Sequence, residues 1–376
     1  MNVGIWGSYG YGNYGDDVMA VIFAEETKRE GHHPIVYRLN RRLAERHGVG
    51  CSEDLAELVS SSDLMIIGGG AMLTTLPWWK RLLRIHQTPA DHGAADLLAA
   101  LSRSPRAIYS ISIGGDGTRV DARSLPASVR SLFGSEFYRG GTVRLPSDRA
   151  LLAALGKNAE CYPDVLLGLR DYWPSRNGGR DASDDRWQIG VCLSRRRGGG
   201  LFRALADYAA ARRDVELHVI SSHLETQWRT NEVSVVPGCA GGTVRSYQHH
   251  DPVETAQFLG SLDVVISTKL HVGITALSYG AMFLSYAGEP KTRAALRELG
   301  LERLCWSYGA GGALLRCLDG LLSPDGLRSE ALDWAAVGVA RAGSLQHLRR
   351  YREILREHAR SFPGAAQDTG EQRGRM

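Results

Sequence analysis

Short apolar runs, each ending in glycines or hydroxyls and each followed by a helix-like pattern, recur along most of this chain. They fall at residues 3–6, 35–39, 63–67 and 107–113, and again at 188–193, 216–221, 262–266 and 282–286. Runs this short, bounded by turn residues, read as strands buried on both faces, and strand alternating with helix predicts a mainly parallel sheet. The alternation breaks once. Between Asp171 and Arg186 the chain turns to Pro174, Ser175, Asn177, Gly178, Gly179 and then acidic residues, which marks a linker. With 376 residues, against about 100–200 for a typical domain, two α/β sheets facing a central cleft are expected. The expected division is 1–172, a linker at 173–186, a second sheet domain over 187–328, helices over 329–362 packing back, and a disordered tail at 363–376. A short strand at 142–145, a helix at 147–155 and a strand-like piece at 161–167 close the first half. In the second half a helix is expected over 201–212 and a further strand over 233–236.

Composition narrows the function classes. A net charge of +4 without a long Lys/Arg run gives no footprint for a nucleic-acid partner. The six cysteines form no CxxC pair, so no zinc framework or other metal site is expected and reduced thiols packing as small hydrophobes are. No apolar run approaches the roughly 20 residues of a membrane span. The amino terminus lacks the basic and apolar stretches of a leader, so a cytoplasmic protein is expected.

Chemistry-bearing residues gather at the expected strand exits. The loop after the first strand holds Gly12, Asn13, Tyr14, Gly15, Asp16 and Asp17. It contains a GxGxxG at Gly10, Gly12 and Gly15, but the first glycine comes late. Two carboxylates at a helix start suit the macrodipole and repel a pyrophosphate, so a dinucleotide site is disfavoured. The two aspartates read either as polar groups facing a hydroxyl-bearing substrate or as helix-start residues. Gly68, Gly69 and Gly70 after the third strand allow close backbone approach to a ligand or form a tight turn. Residues 74–92, rich in Trp, Arg and His, read as a loop and short helix at the cleft mouth. Arg195, Arg196 and Arg197 before three glycines are either an oxyanion fork or a flexible basic loop. Ser267, Thr268, Lys269 and His271 follow the strand at 262–266, and Lys291 opens the helix after 282–286. A lysine at a helix N-terminus opposes the macrodipole unless an anion lies between them, which points to an anionic ligand.

In order, these residues resemble the polysaccharide pyruvyl transferase family. The resemblance rests on the loop Gly12 to Asp17, the run Gly68-Gly69-Gly70, Pro163-Asp164, the segment Ser267-Thr268-Lys269-Leu270-His271 and Pro290-Lys291, over about residues 1–300. It implies a GT-B-like α/β fold of two Rossmann-like domains. It also implies transfer of the pyruvyl group of phosphoenolpyruvate to hydroxyls of a sugar, glycan or glycosylated small molecule, with phosphoenolpyruvate as donor substrate and no cofactor. Lys269, Lys291, Ser267 and Arg195 are then expected on the donor. His271 is expected as acid or phosphate partner. Asp16 or Asp17, with Gly12, Asn13, Tyr14, Gly15, Gly69 and Gly70, is expected on the acceptor side. The chain departs from the family pattern in carrying Lys269 where arginine is usual, and in a segment 286–291 about two residues longer. Two other classes stay open: a GT-B glycosyltransferase using a nucleotide sugar, with Glu289 as ribose carboxylate, and a non-catalytic ligand-binding protein. A homodimer is compatible with all three.

Overall fold

The computed structural model describes residues 1–75, 89–117, 120–174, 186–224, 232–233, 244–323 and 334–361, with backbone alone at 89–92. The first sheet contains β1 (Asn2–Trp6), β2 (His33–Tyr37), β3 (Gly50–Ser52), β4 (Leu64–Gly68), β5 (Ile108–Ile113), β6 (Tyr138–Val143) and β7 (Ala159–Cys161). The second contains β8 (Trp187–Cys192), β9 (Val215–Ser221), β10 (Val244–Gln248), β11 (Val264–Ser267), β12 (Met282–Tyr286) and β13 (Cys305–Trp306). Their orders are β3-β2-β1-β4-β5-β6-β7 and β10-β9-β8-β11-β12-β13. All strand pairings within both sheets are parallel. The central strands β1, β4, β8, β11 and β12 are almost wholly apolar and buried, as strands covered on both faces must be. Each half is therefore a Rossmann-like α/β unit. In each, the chain reverses its direction of travel across the sheet between the first strand and the fourth, which opens a crevice at their carboxyl ends.

The first half carries α1 (Tyr14–Arg29), α2 (Arg41–His47), α3 (Leu55–Ser61), α4 (Pro89–Arg103), α5 (Ala127–Gly134), α6 (Pro146–Ala153) and α7 (Leu169–Tyr172). The second carries α8 (Arg195–Ala210), α9 (Pro252–Gly260), α10 (Leu270–Tyr279), α11 (Pro290–Glu298) and α12 (Gly311–Leu321). Last come α13 (Trp334–Ser344) and α14 (Gln346–Arg360). Helix α14 crosses back to the first half and packs on α1, β5 and β6, while α13 packs on the 3-10 turn Val165–Gly168.

Some elements differ from the sequence reading. Helix α1 begins at Tyr14, so Tyr14 and Gly15 are helical rather than part of the loop. The basic stretch at 195–200 is the first turns of α8, not a loop. Gly198 lets the helix lie on Leu193, where an added Cβ would come within 2.5 Å of the Leu193 Cβ. The strand-like piece at 161–167 is only the end of β7, followed by the turn capped by Asp164 on Leu166 N at 3.0 Å. Strand β10 and the small elements α2, β3 and α3 lack the apolar runs that mark the others. Residues 76–88, 175–185, 234–243, 324–333 and 362–376 lie outside the described residues. With them go most of the Trp- and Arg-rich segment, the linker, most of the strand expected at 233–236, and the tail.

Candidate active site

The exits of β1, β4, β6, β9, β11 and β12 meet across a cleft of about 310 Å³, lined by Asn13, Gly15, Asp16, Arg144, Lys269, His271 and Lys291 among others. His271 stands in the first turn of α10 and is nearly enclosed. Its position depends on Gly15, because a Cβ there would lie 1.8 Å from His271 Nδ1. Only a residue without a side chain lets the start of α1 approach the imidazole so closely.

Arg144 leaves the end of β6 and is almost fully buried. Its Nη1 donates to Asp164 Oδ2 at 2.9 Å and lies 2.9 Å from His271 Nε2, while Nη2 donates to the Gly70 carbonyl at 2.9 Å. A guanidinium can only donate, so His271 Nε2 accepts and the ring proton sits on Nδ1. Burial is the largest force on His271 and drives its pKa down. Asp164 opposes this, Arg144 and Lys291 reinforce it, and the value falls to about 3. The imidazole is neutral near pH 7. Burial pushes the Asp164 carboxyl up, but Arg144 and then His271 outweigh it and hold the carboxyl below its ordinary value.

Asp16 faces this group from α1. Asn13 Nδ2 donates to its Oδ2 at 2.7 Å. Burial raises its pKa, partly offset by the Asn13 bond, to about 6. Such a carboxyl exchanges protons near neutrality. Lys269 is the N-cap residue of α10 and Lys291 lies in the first turn of α11. Lys269 Nζ lies 3.8 Å from Glu232 Oε1, and Lys291 Nζ lies 2.9 Å from Glu289 Oε2. Glu232 is buried, which pushes it up. The bond from His223, the hydroxyl of Ser222 and the charge on Lys269 outweigh this and bring it to about 2.

Other expected site residues lie elsewhere. Asp17 turns away from the cleft into the contact between the halves, where His249 Nε2 lies 3.1 Å from its Oδ2 and His249 Nδ1 lies 3.0 Å from Thr255 Oγ1. Successive helix residues point about 100° apart, so two adjacent aspartates cannot both point into one cleft. Ser267 is fully buried, with its hydroxyl 3.1 Å from the Cys192 carbonyl and accepting from Lys269 N at 2.8 Å. It shapes the turn that presents Lys269. Arg195 is exposed at the start of α8 and does not line the cleft. Tyr14 stitches the halves together, donating from N to Ser222 O at 2.8 Å and from its hydroxyl to Thr275 Oγ1 at 3.1 Å. Gly12 accepts at its carbonyl from Leu224 N at 2.8 Å. Gly69, at φ +69 with Met19 Sδ 2.2 Å from an added Cβ, and Gly70 form the turn whose carbonyl holds Arg144.

Sequence reasoning missed Arg144. Its signal was a lone charge ending the run Thr142-Val143-Arg144, at the carboxyl end of a strand, where ligand contacts concentrate. His223 and Glu232 carried no local signal at all. Among the described residues, no group of three or more His, Cys, Asp or Glu side chains is placed to hold a metal ion. None of the described helices is long and apolar enough to cross a membrane.

Comparisons with known proteins agree with this architecture. MnaA from S. aureus, solved with UDP, is 11% identical with a TM-score of 0.60, over 96% of this chain and 95% of that one. UDP-GlcNAc 2-epimerase from Neisseria meningitidis bound to UDP-GlcNAc is 8% identical with a TM-score of 0.59, over 96% and 100% of the two chains. HepE (Alr3699) from Anabaena, in complex with UDP and glucose, is 12% identical with a TM-score of 0.53, over 96% and 99%. At these identities the likeness is one of fold, and the fold is GT-B. No curated protein matches in a sequence search. A sequence profile of the polysaccharide pyruvyl transferase family matches residues 13–289, from the Asn13 that opens α1 to the Glu289 that caps α11. Spanning well over half of the chain, and both walls of the cleft, that match makes this protein a transferase of the polysaccharide pyruvyl transferase family.

Proposed function

We propose that the cleft binds phosphoenolpyruvate and transfers its pyruvyl group to two hydroxyls of a sugar or glycan, giving a pyruvate ketal and phosphate. One observation carries the reading: Arg144, Lys269 and Lys291 converge on a neutral His271, opposite a carboxyl poised near neutrality. Phosphoenolpyruvate brings a carboxylate and a phosphate within a few bonds of each other. Three cationic donors in a partly enclosed cleft stabilise what builds up on the departing phosphate. Arg144 supplies the guanidinium that Lys269 lacks at the family's usual arginine position.

Asp16 in its acid form delivers a proton to the methylene carbon. The oxygen of the first acceptor hydroxyl bonds to the adjacent carbon, and its proton returns to Asp16. The bond from that carbon to the phosphate oxygen then breaks and phosphate leaves toward Lys269, Lys291 and Arg144. The second hydroxyl adds to the same carbon and closes the ring. Its proton passes to the leaving phosphate, with the Nδ1–H of His271 orienting that group. His271 thus acts as a neutral donor rather than as a standing acid.

Phosphoenolpyruvate and a panel of UDP-sugars, each titrated against thermal unfolding, test this. A ligand at 100 times its Kd stabilises by about 2.7 kcal/mol. Phosphoenolpyruvate is expected to stabilise the protein, Lys291→Ala to abolish that, and an added glycan acceptor to release phosphate. Stabilisation by a UDP-sugar with none by phosphoenolpyruvate overturns the reading in favour of glycosyl transfer.

A further inference from the structure

Beside the cleft lies a second pocket of about 250 Å³, faced by Arg197, Arg293, Ser285, Gly288, Trp306 and Tyr308 among others. Its lining holds two guanidinium groups and no carboxylate, whereas cations and carboxylates share the cleft. Consecutive residues of one connection divide the two spaces: Ala287 and Gly288 line the pocket, Glu289 and Lys291 the cleft. Arg197 reaches in from the first turn of α8. Its Nη1 donates to the Ala287 carbonyl at 3.3 Å, and it forms no ion pair with the described residues. Arg293 comes within 3.4 Å of Glu302, but Arg297 already takes that carboxylate in a two-pronged bond at 2.7 Å and 2.7 Å. Tyr308 is 71% exposed, an unusual state for so large a ring. The loop carrying it is fixed, since Gly309 N donates to the Tyr286 hydroxyl at 3.1 Å. Trp306 is half-buried at the end of β13.

A planar ring face beside paired guanidinium forks is the chemistry of a ring compound bearing an oxyanion. We propose that this pocket anchors one end of the acceptor, taking a sugar unit that carries a phosphate or carboxylate, while the hydroxyls that receive the pyruvyl group extend past Gly288 into the cleft that Asp16 faces. The sugar ring lies on Tyr308 and Trp306, and the oxyanion between Arg197 and Arg293. Its role as acceptor site rests on the pyruvyl-transfer reading, which puts the donor in the adjoining cleft. The two spaces together fall within the range of about 300–1,000 Å³ usual for ligand sites.

Calorimetric titration of the full chain with galactose, galactose 1-phosphate and galacturonate tests the subsite. At least one anionic sugar is expected to bind about tenfold tighter than galactose, and which of the two does so identifies phosphate or carboxylate as the group recognised. The exposed pair Arg197→Gln with Arg293→Gln is expected to erase that preference while Lys291→Ala keeps it, and Tyr308→Ala to weaken all binding. Equal binding of neutral and anionic sugars, or no binding by any, overturns the proposal. So does a preference that Lys291→Ala removes and the double variant keeps, since the anion then sits in the cleft. Stabilisation by phosphoenolpyruvate, measured on the same double variant, is expected to persist. A protein that keeps the anionic preference but ignores phosphoenolpyruvate refutes the pyruvyl-transfer reading and leaves the subsite standing.

Discussion

At the scale of the residue, the site depends on a missing side chain and a displaced proton equilibrium. Gly15→Ala puts a methyl where His271 Nδ1 now sits, 1.8 Å away. Either α1 or the imidazole must move, and a shift of about 1 Å near the chemistry costs on the order of 10²-fold in rate. A loss of that size in phosphate release is expected, with overpacking costing about 1–3 kcal/mol in urea denaturation. Unchanged turnover would remove His271 from the mechanism. Asp16 makes a second prediction. Its folded pKa, about 6, lies above the ordinary aspartate value of 3.8, so the folded chain holds this proton more tightly than the unfolded chain does. Stability therefore falls as pH rises from about 4 to 6, because the folded state must then carry the charge in the cleft. Asp16→Asn removes that fall. At pH 8 it is expected to be more stable than the parent by on the order of 2 kcal/mol, less whatever cleft water already screens, while losing transferase activity. Urea denaturation from pH 4 to 8 reads the difference, and parallel curves for the two proteins would contradict it.

At the scale of the element, the telling piece is α14. Its hydrophobic stripe packs on the first half, and polar contacts set its register. The Tyr351 hydroxyl lies 2.6 Å from Thr27 Oγ1, and Arg356 grips Glu30 through two bonds at 2.7 Å and 2.6 Å. His347, fully buried, bonds Thr142 Oγ1 at 2.6 Å and the Pro163 carbonyl at 3.0 Å, directly behind Arg144 and Asp164. The helix is therefore a brace for the cleft. Tyr351→Ala is expected to cost about 3–5 kcal/mol, as loss of a fully buried aromatic does, and Tyr351→Phe about 1 kcal/mol for the bond to Thr27 alone. Equal losses in the two variants would show that the hydroxyl, not the ring, anchors α14. Helix α8 shows the opposite lesson. Its glycines argue for a loop by propensity, yet Leu201, Phe202 and Leu205 bury against the second sheet and carry the helix.

At the scale of the whole molecule, the halves are joined by buried polar contacts as well as apolar packing. The Ser278 hydroxyl donates to the Leu167 carbonyl at 2.7 Å, and the Tyr14 and Gly12 contacts cross the same boundary. The Asp17–His249 pair is almost wholly enclosed, with Asp17 1% and His249 0% exposed. Asp17 Oδ1 has no hydrogen-bond partner among the described residues. His249→Ala strips the other oxygen too, leaving a carboxyl buried with nothing to bond. Removing one member of such a pair costs about 3–5 kcal/mol, and urea denaturation is expected to show a loss in that range. A cost below about 1 kcal/mol would mean that this pair adds little to the joint between the halves.

The strand runs, their glycine exits and the two-sheet division were legible because burial on both faces demands apolar residues and the exits demand glycine. The placement of Lys269, His271, Lys291 and Asp16 along the cleft was legible for a related reason: the carboxyl ends of parallel strands open onto the crevice of such a sheet. What the amino-acid order could not decide was direction and partnership. Asp16 and Asp17 are neighbours in sequence, yet the 100° step of a helix sends one into the cleft and the other to His249, 232 residues away. Arg144 and His271, 127 residues apart, meet only because two sheets face each other. Burial at that meeting point, reinforced by Arg144, makes His271 neutral, and the Arg144 contact sets where its proton lies. Sequence determined which chemistry was available at each strand exit, because local burial and turn geometry act over a few residues. Tertiary structure decided which of those groups share a site, because desolvation and charge act through space.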